Sequence, residues 1–278
     1  MRNLVKKIFV AVFAVSTLAS VNSFADDINL WKKSTLNQIL QRGELQVCME
    51  PGYMPFEMKD KKGRIIGYDV DMAKRMAKEM GVKLKLLPTS WDGIIAALVT
   101  NKCDIIMSGM TITQQRNLKI NFANPYVVVG QTILMKKDLD SKIKTAKDLD
   151  KPEFTVVTKL GVTGEVATRK FFTKAKIITF ETEADAAAEV LNGRADAFVY
   201  DQPYNILFMS DKGKGKLIHL DAPLTYEPLG WAIRKGDPDF LNWLNNFLRQ
   251  VKEDKVVDFH EKLNNKWLRD TSWLKRVQ

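Results

Sequence analysis

An arginine ends the segment DIIMSGMTITQQR, residues 104–116, three positions after a threonine that can cap a helix. If Thr113 is the N-cap, Arg116 falls in the first helical turn, where the positive end of the helix dipole disfavours a cation by roughly 0.3–1 kcal/mol. A guanidinium binds a carboxylate through two parallel hydrogen bonds, so a bound carboxylate would make this position favourable. The spacing therefore favours a carboxylate site at Arg116, and it leaves open two simpler interpretations, a surface arginine and an internal salt bridge.

Small and hydroxyl-bearing residues precede this arginine. The apolar run at 105–107 is followed by Ser108, Gly109, Met110 and Thr111. Such a loop can bring backbone N–H groups and hydroxyls against a small polar ligand, and the amides of a following helix N-terminus add donors for an anion. An ordinary turn that leads into a capped helix explains the same residues, and it is the more frequent outcome for such a sequence.

Asp201 ends the segment DAFVYD, residues 196–201, which is rich in apolar residues. A carboxylate at the end of a buried strand can pair with an ammonium group. Capping of the helix predicted for the next residues, QPYNILFM, explains this aspartate equally well.

An acid and two aromatic residues follow two other strands. Glu50 and Tyr53 come just after LQVCM (45–49), and Trp91 begins a helix after KLKLLP (83–88). An acid beside aromatic rings favours a cation through ion pairing and cation–π attraction. Packing of the aromatic residues in a core or a lid is a strong alternative.

The segment TKLGVTGE, residues 158–165, has two glycines and Thr163 at a strand-to-helix turn. Its backbone amides could face an anion. The segment matches neither a Walker loop nor a dinucleotide-binding fingerprint, so by itself it is weak evidence for a binding site.

The elements that would position these residues alternate between strands and helices. Strands are predicted at 45–49, 83–88, 104–108, 154–158, 176–180 and 196–201, and helices at 68–82, at 90–102, from about 163 and at 182–193. This alternation predicts two α/β units with parallel sheets. Ligands of open α/β sheets bind beyond the carboxyl ends of the strands, so Ser108 and Asp201 are expected to face each other across a cleft.

The N-terminus has the three parts of a secretory signal peptide. MRNLVKK is basic, IFVAVFAVSTLASV is apolar, and Ser23, Phe24 and Ala25 form a small-x-small cleavage site. We expect cleavage after residue 25 and a soluble protein exported to the periplasm. The apolar run is short for a membrane span, and no cysteine follows it for lipid attachment.

Charge and composition exclude several classes of protein. The formal net charge of +10 falls to +7 when the cations of the signal segment, Arg2, Lys6 and Lys7, are removed. The remaining lysines are scattered among acids, as in KKDLDSKIKTAKDLDK, which is typical of solvated faces and argues against nucleic-acid binding. No nucleophile elbow or HExxH motif occurs.

Two histidines and two cysteines, all far apart in the sequence, make a His/Cys metal site unfavourable. The predicted strands put Cys48 and Cys103 at opposite ends of parallel neighbours, too far apart for a disulfide bond. We therefore predict two free, buried thiols.

These segments together resemble a known family, the bacterial extracellular solute-binding proteins of the polar amino acid type, which serve ABC importers. The resemblance covers nearly all of the chain after residue 25. It depends on PGYMPFE, GYDVDMAKRMAKEMGVK, SWDGIIAALVTNKCDIIMSGMTITQQR, INFANPY and VLNGRADAFVYDQP, in that order. Several such motifs in family order are a much more specific signal than any one of them.

The resemblance implies a type II periplasmic-binding-protein fold, in which two α/β lobes are joined by two hinge strands and close around an amino acid. It implies lobe 1 at 26–129 and 225–278, lobe 2 at 130–224, and hinges near VVGQT and LTYEP. It further implies a free amino acid ligand and an ABC permease as partners, a monomer, and no cofactor.

The resemblance also implies the role of each candidate. Arg116 binds the α-carboxylate, together with Thr111 and the backbone near Ser108, Gly109, Met110 and Thr163. Asp201 binds the α-ammonium. Glu50, Tyr53 and Trp91 form the side-chain pocket, and the acid in this pocket favours lysine or arginine, because a buried cation must be paired.

Three positions depart from the common family pattern: Gly109, often serine in relatives, and Lys159 and Gly164 in the turn of lobe 2. Lys159 could bind the ligand carboxylate or repel a cationic ligand, so the identity of the amino acid stays open.

Two other functions remain open. An enzyme similar to cyclohexadienyl dehydratase would use the same cleft for acid-catalysed elimination, with Glu50 or Lys159 as a catalytic group. A sensory module would present the closed lobes to a membrane receptor.

Overall fold

Two five-stranded sheets form the framework of the computed structural model, which describes residues 33–277. Each sheet belongs to one α/β lobe. The predicted signal peptide, residues 1–25, lies outside the described residues. Among residues 33–277, no helix combines the length and the apolar character that crossing a membrane requires.

The elements of lobe 1 come from both ends of the chain. They are α1 (Thr35–Arg42), β1 (Glu44–Met49), β2 (Met58–Lys59), β3 (Ile65–Ile66), α2 (Tyr68–Met80), β4 (Lys83–Pro88), α3 (Trp91–Val99), β5 (Ile105–Ile106), α4 (Gln114–Asn117), β6 (Asn121–Phe122) and, after lobe 2, β14 (Ala232–Ile233), α9 (Pro238–Glu253), α10 (Phe259–Asn264), a π-helical turn (Asn265–Arg269) and α11 (Leu274–Val277). The sheet has the order β4-β1-β5-β14-β6, in which β4, β1 and β5 are parallel.

The elements of lobe 2 are continuous in sequence. They are β8 (Gln131–Lys136), a 3₁₀ turn (Lys137–Leu139), α5 (Ala146–Leu149), β9 (Thr155–Lys159), α6 (Thr163–Phe171), β10 (Lys176–Phe180), α7 (Glu183–Leu191), β11 (Ala197–Asp201), α8 (Gln202–Ser210) and β12 (Leu217–Leu220). The sheet has the order β10-β9-β11-β8-β12, in which the first three strands are parallel.

A third, two-stranded sheet stands between the lobes. β7 (Val127–Val129) pairs antiparallel with β13 (Glu227–Leu229) at the two places where the chain passes from one large sheet to the other. This pairing supports the hinges predicted near 128–132 and 224–228. We propose that the lobe boundaries lie at 129/130 and 224/225.

The helix in GYDVDMAKRMAKEMGVK shows why the main elements form where the pattern predicts them. The apolar face of α2, which includes Val70, Met72 and Met76, is fully buried against the sheet. Gly81 ends this helix in the left-handed conformation, with φ of 69°, which only glycine adopts without strain.

The prediction for the two cysteines was wrong, because Cys48 and Cys103 form a disulfide bond with a Cα–Cα distance of 5.8 Å. Strand β5 is only two residues long, so Cys103 is not part of the ladder in which Cys48 faces Ile106. Cys103 lies instead in the connection between α3 and β5, and both cysteines belong to one apolar cluster with Leu98. Closing a loop between residues 55 positions apart is expected to stabilise the fold by about 2–4 kcal/mol.

Candidate ligand-binding site

A small cavity lies between the two lobes at the carboxyl ends of β1, β9 and β11. Its lining consists of Glu50, Tyr53, Glu57, Trp91, Ser108, Gly109, Thr111, Arg116, Gln131, Lys159, Val162, Thr163, Tyr200 and Asp201. Charged groups of both signs are therefore concentrated in a small space that both lobes enclose.

Arg116 lies at one end of this cavity, half-buried. Thr113 caps α4 through its side chain, as predicted, and the Arg116 Nη1 donates to the Thr111 carbonyl oxygen over 2.8 Å. The helix is a single turn, however, so Arg116 belongs to its last turn as much as to its first and its dipole opposes a cation very little. Burial lowers the pKa of Arg116, while the nearby carboxylates of Glu227 and Asp201 oppose this change and favour the charged form.

Asp201 faces the same cavity from lobe 2, with only 6% of its surface exposed. It is the N-cap residue of α8, but its side chain caps nothing; it accepts hydrogen bonds from the Tyr53 hydroxyl and from the Gln131 amide. Burial, reinforced by the charge of Glu227, raises the pKa of Asp201 to about 7, although both hydrogen bonds and Arg116 act in the opposite direction. The carboxylate thus lacks a cation strong enough to hold it fully ionised.

Two buried acids, Glu57 and Asp69, hold the loop at 108–111 through hydrogen bonds. The Ser108 hydroxyl donates to Glu57 over 2.8 Å, and the Gly109 N–H donates to Asp69 over 3.0 Å. Burial, reinforced by the charge of Asp69, raises the pKa of Glu57 well above its ordinary value. These bonds hold the loop in place and engage the Ser108 hydroxyl and the Gly109 N–H with the protein itself.

Gly109 is one of the departures from the family pattern, and steric crowding explains why this position is a glycine. Its φ is 51°, and a Cβ at this position would lie 2.1 Å from the Tyr53 ring. Gly164 is similar, because a Cβ there would lie 2.8 Å from the buried Gln131 Oε1. Both glycines make room for cavity residues.

Lys159, the third departure, forms the centre of an ion cluster at the other end of the cavity. Its ammonium pairs with Glu50 of lobe 1 and, over 2.9 Å, with Glu183 of lobe 2. Burial lowers the pKa of Lys159, but the charges of Glu183 and Glu50 outweigh burial and leave it above the ordinary value. One cation therefore stands between two carboxylates, and the cluster has a net charge of −1.

Trp91 forms the wall between Arg116 and Lys159. Its ring centroid lies 5.3 Å from the Arg116 guanidinium carbon and 6.0 Å from the Lys159 Nζ. The indole N–H donates across the cleft to the Gly161 carbonyl oxygen over 3.0 Å. Thr111 and Thr163, one from each lobe, bring their hydroxyl oxygens within 3.3 Å.

The structure gathers ten of the eleven predicted site residues around one cavity. The exception is Met110, whose side chain is buried in the apolar cluster near the disulfide bond. Glu57, Gln131, Val162 and Tyr200 also line the cavity, and Glu183 supports it; none of these was predicted. Tyr200 stands one residue before Asp201 on β11, and Glu183 is the first residue of α7, where an acid also serves an ordinary helix end.

Known proteins share this arrangement of lobes and cleft. A family model described as bacterial extracellular solute-binding proteins, family 3, matches residues 45–270. A binding component of an ABC transporter from Wolinella succinogenes DSM 1740, complexed with lysine, is 62% identical, covers 84% of this chain and 99% of its own, and has a TM-score of 0.82.

Two further proteins are similar over most of their length. The ancestral amino acid-binding protein AncCDT-1, a precursor of cyclohexadienyl dehydratase, is 50% identical with a TM-score of 0.79, over 84% of this chain and all of its own. The L-cystine-binding protein TcyJ of Escherichia coli (strain K12) is 30% identical over 94% of this chain and 95% of that protein. These matches confirm the type II periplasmic-binding-protein fold, and the chain belongs to the bacterial extracellular solute-binding proteins, family 3.

Proposed function

We propose that this protein binds a free basic amino acid between its lobes, with lysine as the preferred ligand, and delivers it to an ABC importer. One observation carries the proposal: Arg116 and Asp201 face the cavity at one end, and an ion cluster of net charge −1 faces it at the other. We assign the α-carboxylate to Arg116 and the α-ammonium to Asp201. The hydroxyl groups of Thr111 and Thr163, which approach each other across the cleft, would add hydrogen bonds to the carboxylate.

Charge balance favours a cationic side chain. Arg116 and Asp201 together neutralise the two charges of any amino acid zwitterion. Glu50, Glu183 and Lys159 leave one negative charge unmatched, and a buried charge without a partner is strongly unfavourable. A ligand with one positive charge on its side chain neutralises this cluster, whereas a neutral ligand does not.

Relatives support the choice of ligand class. The structure from Wolinella succinogenes that is 62% identical is complexed with lysine. The protein from Escherichia coli, at 30% identity, is an L-cystine-binding protein. Membership of the family therefore indicates an amino acid ligand but does not determine which amino acid it is.

Contacts from both lobes support closure around the ligand. Glu50, Tyr53 and Trp91 of lobe 1 each bond to a residue of lobe 2. A ligand held by Arg116 and Asp201 would add bonds from both sides and so shift the population towards the closed state. We infer that the protein acts as an exported, periplasmic monomer that an ABC permease recognises in this state.

A thermal-shift screen against the free amino acids tests the proposed ligand. Lysine at a concentration of 100 Kd is expected to stabilise the fold by about 2.7 kcal/mol. For a protein of this size, that raises the unfolding temperature by roughly 5–11 °C. Arginine should follow lysine, and neutral amino acids at the same concentration should produce a much smaller change.

The matched control in this screen is glutamine, which has no charge on a side chain of similar length. A shift from glutamine equal to that from lysine would contradict the assignment to basic ligands. A lack of response to every amino acid would contradict the proposed function itself.

One observation favours a second candidate, an enzyme that eliminates by acid catalysis. AncCDT-1, a precursor of cyclohexadienyl dehydratase, is 50% identical, and the cavity wall carries Glu57, an acid whose pKa burial raises well above its ordinary value. The Ser108 hydroxyl and Asp69 engage Glu57 from the protein side, which favours a structural role for it. Incubation with prephenate or arogenate separates the two functions, and we expect no product.

A further inference from the structure

Lys159 pairs with two carboxylates that belong to different lobes and differ in exposure. Glu183 lies in the same lobe, at the start of α7, and its side chain is 4% exposed. Glu50 comes from the opposite lobe, at the end of β1, and its side chain is 23% exposed. One bond of Lys159 is therefore internal to lobe 2, and the other crosses the cleft.

Glu183 is the more enclosed of the two acids. Gly52 of the opposite lobe covers it so closely that a Cβ at this position would lie 2.6 Å from the Glu183 Oε1. Glu183 does not line the cavity, whereas Lys159 and Glu50 both do. A ligand can therefore reach Glu50 without disturbing Glu183.

We propose that Lys159 is an internal competitor for the side-chain cation of the ligand, and that Glu183 is the residue that allows it to be displaced. This inference rests on the proposed function. Without a cationic ligand, Lys159 neutralises Glu50. When the ligand ammonium arrives, it takes the place of Lys159 at Glu50, and Lys159 keeps Glu183 as its partner.

The exchange depends on charge at every step. A buried ammonium that loses its only partner is strongly disfavoured, so Lys159 could not release Glu50 if Glu183 were neutral. A ligand with a neutral side chain offers Glu50 no replacement, and Lys159 stays in the pocket. The cluster thus selects for cationic ligands and against neutral ones of the same length, which makes Glu183 a positioning residue for specificity.

Two variants with opposite expected effects test this exchange by calorimetric titration with lysine. Glu183→Gln leaves Lys159 with Glu50 alone and should weaken lysine binding about tenfold or more. The double variant Lys159→Met/Glu183→Gln removes the competitor but keeps the net charge of the cluster at −1, as in the native protein. Its affinity for lysine should rise about tenfold above the native value.

The double variant keeps the proposal falsifiable even if Glu183→Gln fails to fold, because the one charge that it leaves without an ionic partner, Glu50, is 23% exposed and still accepts a hydrogen bond from the Trp91 backbone N–H over 3.2 Å. Titration with glutamine shows whether specificity changes, which a merely structural role would not cause. Weaker lysine binding by the double variant would mean that Lys159 itself holds the ligand, and it would overturn the exchange. Native protein that binds no basic amino acid would instead refute the proposed function.

Discussion

Replacing Arg116 with alanine is expected to weaken the binding of every amino acid ligand by roughly 10²–10³-fold. The proposed partner of this guanidinium is the α-carboxylate, which all amino acids share. Removing one member of a buried ion pair generally costs about 3–5 kcal/mol, since the other charge stays behind without a partner. Isothermal titration of the Arg116→Ala variant with lysine and with arginine measures the loss.

Arg116→Lys is the matched control, because it keeps the charge but cannot form two parallel hydrogen bonds. Its affinity should fall between those of the native protein and Arg116→Ala. The thermal unfolding of both variants without ligand should be close to that of the native protein. Among residues 33–277, the guanidinium donates to the Thr111 carbonyl oxygen and has no acid at hydrogen-bond distance. Unchanged affinity in Arg116→Ala would show that the carboxylate binds elsewhere.

The affinity for lysine is expected to fall about tenfold for each pH unit below about 7. Burial raises the pKa of Asp201 to about 7, and the group must be ionised to pair with the α-ammonium. Tyr53, Gln131, Arg116 and Glu227 act on this carboxyl, and the three that lower its pKa do not overcome burial. Below pH 7 the ligand ammonium therefore competes with a proton, until the pH reaches the lower pKa of Asp201 in the complex.

The same group makes the stability of the ligand-free protein depend on pH in the opposite sense. The folded pKa of Asp201 lies above the unfolded value, so the folded state binds the extra proton between about pH 4 and 7. Its contribution to stability is present below pH 4 and is lost as the pH rises through about 7. Ligand binding above pH 7 offsets this loss.

The Asp201→Asn variant separates the pH effect of Asp201 from that of other titrating groups. One of these groups is Asp69, whose pKa is raised by burial to about 6. The variant should bind lysine roughly 10²-fold more weakly at pH 8, because the buried ammonium loses its counter-charge. Its affinity should also be nearly independent of pH between 5 and 8. Titrations over this range check both results, and a pH slope equal to that of the native protein would contradict the assignment of Asp201.

The sequence was sufficient for features that depend on local pattern. The helix predicted at 68–82 forms as α2, Tyr68–Met80, and the strands at 83–88 and 176–180 have the predicted bounds. Arg116 and Asp201 face one cavity, yet the physical reason first given for Arg116 was weak, since a one-turn helix has a small dipole.

Features that depend on distant parts of the chain were missed. The disulfide bond forms because Cys103 lies before β5, which begins only at Ile105, so the strand predicted at 104–108 does not fix its distance from Cys48. Glu183 meets Lys159 only when α7 packs beside β9, and no spacing in the sequence indicates this ion pair. Gln131 reaches Asp201 through the antiparallel pairing of β8 with β11, which alternating strands and helices do not predict.

A crystal structure of the protein grown with lysine tests the central claim most directly. We predict the α-carboxylate within hydrogen-bond distance of Arg116, the α-ammonium on Asp201, and the side-chain ammonium on Glu50 with Lys159 held by Glu183 alone. Lysine bound outside the space between the lobes, or inside it with Arg116 and Asp201 both turned away, would contradict the account.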